Sequence, residues 1–128
     1  MGIQGNLLDT NVIIDFMAGR LPDRGLKFVS EIIDERPQIS IITKIELLGY
    51  NAPEDEFLVL NDFVRESIVH PLNDEIATTC IELRKISKIK LPDAIIAATA
   101  LHHSLNLLTR NIDDFRNIRD LSVINPHE

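Results

Sequence analysis

Residues 7–16 read LLDTNVIIDF. Leu7 and Leu8 form the inside of a short strand, Asn6–Asp9, and the chain then turns helical over Asn11–Ala18, with Thr10 or Asn11 available as the cap. The same strand-then-helix pattern recurs along the chain. Leu26–Glu35 carries Leu26, Val29, Ile32 and Ile33 at helical spacing, Pro37 stops that helix, and Gln38–Ile42 follows as a β-branched strand. Thr43–Tyr50 reads as a helix capped by Thr43, with Glu46 at the capping-box spacing. Pro53–Arg65 is helical with Phe57, Leu60, Phe63 and Val64 on one side, and Ser67–His70 is a brief strand closed by Pro71. Asn73–Ser87 is a helix capped by Asn73, with Ile76, Cys80 and Leu83 on one stripe. Pro92 suits the first turn of a helix running to about His103, in which Ile95, Ile96, Ala98 and Thr99 are core. Asn106–Thr109 and Ser122–Ile124 are strands, separated by a turn or short helix at Asp113–Phe115. Four or five strands separated by helices predict an α/β domain with a central parallel sheet and helices on both faces.

Composition sets bounds on this reading. The chain has 128 residues and a mass of 14.5 kDa, the size of one domain spanning 1–128. Hydrophobic residues make up 45%, enough for one core. A single cysteine, Cys80, excludes an intramolecular disulfide and a Cys-rich zinc site, and reads as a small buried apolar residue in a reducing compartment. No apolar run approaches the roughly 20 residues needed to span a bilayer. Met1–Asn6 has no basic patch before an apolar stretch, so no signal peptide is expected and the chain reads as cytoplasmic. The net charge of −7 excludes a surface coated in positive charge for nucleic acid.

Parallel sheets bind ligands at the carboxyl ends of their strands, and acids fall there. Asp9 ends the first strand, Glu46 lies a helical turn after the second, Asp113 and Asp114 follow the strand ending at Thr109, and Asp93 opens the helix leading into that strand. Carboxylates gathered at one edge repel by about 4 kcal/mol per pair at 4 Å and an effective dielectric near 20. A divalent cation removes that cost, and hard oxygen ligands select Mg²⁺ or Mn²⁺. Such a site suits phosphodiester hydrolysis.

Four segments, LLDTNVIIDF, ITKIELLGY, LPDAIIAATAL and LLTRNIDDF, in this order and at these spacings resemble a PIN-domain nuclease, most closely the VapC toxins of toxin–antitoxin pairs. The resemblance runs from about Leu7 to Pro126. It implies a metal-dependent ribonuclease with Asp9, Glu46, Asp93 and an acid of the last segment around one or two Mg²⁺ ions. Asp114, directly before Phe115, fits the pattern; Asp113 is its alternative. Asn11, Thr109 and Asn111 match polar residues beside the acids. The resemblance further implies an RNA substrate, a homodimer, and a cognate VapB-like antitoxin presenting an Arg to the acids.

Other side chains have plainer readings. Asp9 could serve only as a cap, Glu46 only as half of a capping box, and Asp93 only as a helix-dipole partner. Asp15 reads as a solvated helix residue, His102 and His103 as cations at a helix end, and His70 and His127 as having no partner at metal-ligand spacing. Lys85, Lys88 and Lys90, with Arg84, form a basic run before Asp93, and Arg110 and Arg116 flank the last segment; these are candidate RNA-backbone contacts. A receiver domain would need paired acids after the first strand and a late Lys, yet Asp9 stands alone and no Lys follows Lys90. A haloacid-dehalogenase-type phosphatase would need Asp-x-Asp where Asp9-Thr10-Asn11 stands. A non-catalytic PIN binding module and an RNA-processing PIN nuclease remain as alternatives.

Overall fold

The computed structural model describes residues 5–128. The reading of a missing leader rests on a segment whose residues 1–4 lie outside the described residues. Five strands, β1 (Asn6–Leu8), β2 (Gln38–Ser40), β3 (Ile68–His70), β4 (Asn106–Leu108) and β5 (Val123–Ile124), form one sheet. Every pairing is parallel and the order is β3-β2-β1-β4-β5. The chain builds outward from β1 to β3, then returns to the other side of β1 for β4 and β5. The β1–β4 junction is therefore a switch point in the winding, where a crevice opens at the strands' carboxyl ends.

Seven helices complete the structure: α1 (Thr10–Met17), α2 (Asp23–Glu35), α3 (Ile41–Gly49), α4 (Glu54–Glu66), α5 (Asp74–Ile86), α6 (Leu91–His102) and α7 (Ile112–Phe115). Successive strand residues point to opposite faces, and the leucine pairs exploit this. Leu7 and Leu107 enter a core with α5, α6 and Phe115. Leu8 and Leu108 enter a second core with α1 to α4. Helix α6 is apolar all round and is buried over Ala94–Ala100, as such a helix must be. Among the described residues, no helix is long and apolar enough to cross a membrane.

The helix starts differ from expectation in informative ways. Helix α1 begins at Thr10, and its cap is Asp9, whose Oδ1 accepts from the Thr10 N–H at 2.8 Å, rather than Thr10 or Asn11. Strand β2 stops at Ser40, which caps α3 by accepting from the Thr43 N–H at 3.2 Å. Thr43 is therefore inside the helix and Glu46 lies beyond capping reach, so no capping box exists there. Asn73 caps α5 as expected, accepting from Ile76. Leu60, Phe63 and Val64 are buried, but Phe57 of the same proposed stripe is exposed.

Gly25 of α2 meets the C-terminal segment. A Cβ there would lie 1.7 Å from the Pro126 carbonyl oxygen, a backbone atom that cannot swing aside. Gly25→Ala is expected to cost about 1–3 kcal/mol by overpacking, although alanine improves helix propensity by about 1 kcal/mol. Urea unfolding measures this, and an unchanged or raised midpoint would mean that the segment does not pack on α2.

Candidate active site

Asp9 is 5% exposed and held on three sides. Besides the Thr10 N–H, its Oδ2 accepts from the Thr109 hydroxyl at 2.8 Å and from Asn11 Nδ2 at 3.1 Å. Thr109 in turn accepts from the Asn111 N–H at 3.0 Å, and Asn11 Oδ1 accepts from the Arg110 N–H at 2.9 Å. The strand ends of β1 and β4 are thus stitched together around one carboxylate. Glu46 arrives from α3, where Thr10 donates to its Oε1 at 2.6 Å. The Thr10 hydroxyl also stands 3.2 Å from that of Thr43.

Asp93 sits in the first turn of α6 and borders two clefts. One, of about 330 Å³, is shared with Asp9, Glu46, Asn111 and Arg110. The other, of about 250 Å³, is shared with Lys88, Lys90, Asp113 and Asp114. Burial is the largest influence on Asp93, and Asp9, Asp114 and Glu46 add repulsion that Lys90 only partly offsets; its pKa is pushed up to about 6. Asp9 is also raised, first by burial and then by Glu46, against the opposing hydrogen bonds from Thr109, Thr10 and Asn11. Asp9, Glu46 and Asp114, distant in the sequence, therefore all act on Asp93. Asp113 differs: it pairs with Arg116 at 2.6 Å, and its side chain is 87% exposed.

The donors are all hard carboxylate and hydroxyl oxygens. Among the described residues, no three His, Cys, Asp or Glu side chains close into a ready-made metal cage. The donor chemistry itself, hard oxygen, is the kind that Mg²⁺ takes, usually through one or two carboxylates with waters completing the shell.

Repulsion at Asp93 has a measurable sign. Its folded pKa of about 6 exceeds the ordinary carboxyl value of 3.8, so the folded state holds the proton more tightly between these values. Metal-free stability should therefore fall as pH rises through this window and level off above it. Asp93→Asn removes its share of the slope, leaving that of Asp9, and the variant should be more stable at neutral pH by about 1–2 kcal/mol after solvent screening. Thermal melts in a chelator across this range check it; a pH-independent gap would mean that Asp93 carries no such burden.

One expectation is corrected. Asp15 is not solvated: it is 2% exposed and meets Arg110, Arg20 and His127. His127 bonds Asp15 at 2.8 Å, and His70 bonds Gln38 at 2.8 Å and stacks on His103. Lys88 and Lys90 line the cleft beside Asp93, whereas Lys85, in the last turn of α5, does not. Sequence reading also missed Thr10 as the support of Glu46. The signal for Asp15 was present, an acid inside the apolar run Val12–Phe16.

Comparison with known proteins gives the family. A family model described as the PIN domain matches residues 7–121. Toxin FitB of Neisseria gonorrhoeae is 31% identical over 137 residues, covering 94% of this chain and 96% of the relative. A toxin–antitoxin complex from Klebsiella pneumoniae contains a chain that is 32% identical, with a TM-score of 0.75 and coverage of 96% and 98%. A chain of VapBC-1 from nontypeable Haemophilus influenzae is 27% identical, with a TM-score of 0.81 and coverage of 98% and 100%.

Proposed function

This chain belongs to the PIN-domain family, and from that premise we propose that it is a Mg²⁺-dependent endoribonuclease, a VapC-like toxin neutralised by a cognate antitoxin. The observation that carries this is the meeting of Asp9, Glu46 and Asp93 on one cleft, where the Asp93 pKa is pushed up first by burial and then by Asp9, Asp114 and Glu46. Asp9, Glu46 and Asp93 share one cleft and Asp114 borders the adjoining one beside Asp93, and a divalent cation would offset the repulsion among them. The relatives' identity as toxins and toxin–antitoxin complexes supports the rest.

Asp9, Glu46, Asp93 and Asp114 would hold Mg²⁺ or Mn²⁺. When bound, the ion supplies an activated water and neutralises charge on the phosphoryl oxygens. The chain's own residues prepare for this. Thr109, Asn11 and the Thr10 N–H fix the orientation of Asp9. Thr10 fixes Glu46 from the neighbouring helix start. The buried α6 carries Asp93 on a rigid first turn. Lys88 and Lys90 would take phosphates of the RNA backbone in the adjoining cleft. We further propose one PIN domain acting as a homodimer in the cytoplasm, with the antitoxin presenting an Arg to the acids.

The test is induced expression in a bacterial host, wild type beside Asp9→Asn, with growth followed and new RNA ends mapped. Growth arrest with discrete new ends, absent in the variant, is expected. Arrest without new ends would move the protein to a non-catalytic PIN module, and ends without arrest to an RNA-processing nuclease.

A further inference from the structure

Asp15, at 2% exposure, is buried more deeply than Asp9, yet no step above uses it. A buried carboxylate is strongly unfavourable unless paired, and Asp15 is paired three times. Its Oδ2 lies 2.8 Å from both Arg110 Nη1 and His127 Nε2, and its Oδ1 lies 3.5 Å from Arg20 Nη1. Only the carboxylate is interior. The Arg110 and Arg20 side chains are 52% and 67% exposed, and both line the cleft that holds Asp9, Glu46 and Asp93. One buried negative charge thus fixes two arginines at the rim of an acidic crevice. A guanidinium has five N–H donors, so each arginine keeps most of its fork for something else. His127, brought in by the C-terminal segment that packs on Gly25, completes the pairing of Asp15 without adding a group to that rim.

We propose that Arg110 and Arg20 form a phosphate subsite for single-stranded RNA beside the acids, with Asp15 as the positioning residue that aims both guanidinium groups. This rests on the nuclease reading above. RNA is favoured over an acidic protein segment because the polyanion must enter this same cleft to reach Asp9 and Asp93, and planar arginines match phosphate bidentately.

Charge counting and positioning predict opposite signs for Asp15→Asn. Losing a negative charge should tighten RNA binding if charge alone matters. Losing the anchor should weaken it roughly tenfold, the effect of one charge-assisted hydrogen bond. The readout is fluorescence anisotropy of a fluorescein-labelled single-stranded oligoribonucleotide, in a chelator to prevent cleavage, across a salt series. Arg110→Ala and Arg20→Ala should each reduce the slope of log K against log salt by about 0.7. Should Asp15→Asn fail to fold, Arg110→Lys decides: it keeps the charge and the slope but loses the fork, and should bind more weakly. Calorimetric titration with Mn²⁺ should be unchanged in Arg110→Lys, since the acids are intact. Tighter or equal binding by folded Asp15→Asn, or wild-type affinity in Arg110→Lys, overturns the subsite. So does Arg110-dependent binding of polyglutamate without Arg110-dependent binding of RNA, which would assign the arginines to an acidic protein partner. If the wild type binds neither RNA nor Mn²⁺, the nuclease reading falls as well; if it binds both and the variants match it, only the subsite falls.

Discussion

Asp93→Asn is expected to abolish RNA cleavage while making the metal-free protein more stable. Changing groups that only orient a metal's ligands costs on the order of 10–100-fold, and a direct ligand should cost more, so a loss beyond a hundredfold is expected. Asparagine fills the same space at the start of α6 but lacks the charge that Asp9, Asp114 and Glu46 oppose. Ligand binding to the folded state raises stability, so Mg²⁺ is expected to stabilise the wild type near neutral pH and not the variant. Activity loss and stability gain in one variant separate this site from a packing residue, whose replacement lowers both. Retained cleavage, or a lower melting temperature in a chelator, would remove Asp93 from the centre of the chemistry.

Phe115→Ala should have the largest effect on stability. Phe115 is 1% exposed and fills the core beneath α6. Truncating a buried phenylalanine costs about 3–5 kcal/mol, against a total of about 5–15 kcal/mol for a domain. The consequence reaches the site because α7 has only four residues. So short a helix has no stability of its own, and Phe115 is the anchor that ties Asp114 to the fold. Urea unfolding should show the stability loss, and Mn²⁺ titration at low temperature should show weaker binding by the surviving folded protein. Phe115→Leu, which keeps much of the volume, should recover most of both. A cost below about 1 kcal/mol would mean that Phe115 is not in a packed core.

What could be read from the chain followed the range of each interaction. The leucine pairs Leu7–Leu8 and Leu107–Leu108 announce strands buried on both faces, and the acids fall where their ends must meet. Local devices were legible when one residue could do the work, as with Asn73 at the start of α5. They misled where neighbours competed: Ser40 and Thr43 both fit a cap, and the end of β2 decided for Ser40. Asp15 was misread because its partners are 95 and 112 residues away at Arg110 and His127, and helical periodicity carries no trace of contacts that only the closed sheet creates. Thr10 as the partner of Glu46 escaped for the same reason, at a separation of 36 residues.

The switch in winding between β1 and β4 also has an evolutionary consequence. It places Asp9, Asp93 and Thr109 on strand ends and a buried helix whose other side chains are committed to the two cores. Part of the crevice's rim has no such commitment: Arg20 lies in the connection after α1, with its side chain 67% exposed. Substitutions there leave the acids where they are. Lineages built on this frame can change what the rim recognises by drift there while the acids stay fixed, without the fold being renegotiated.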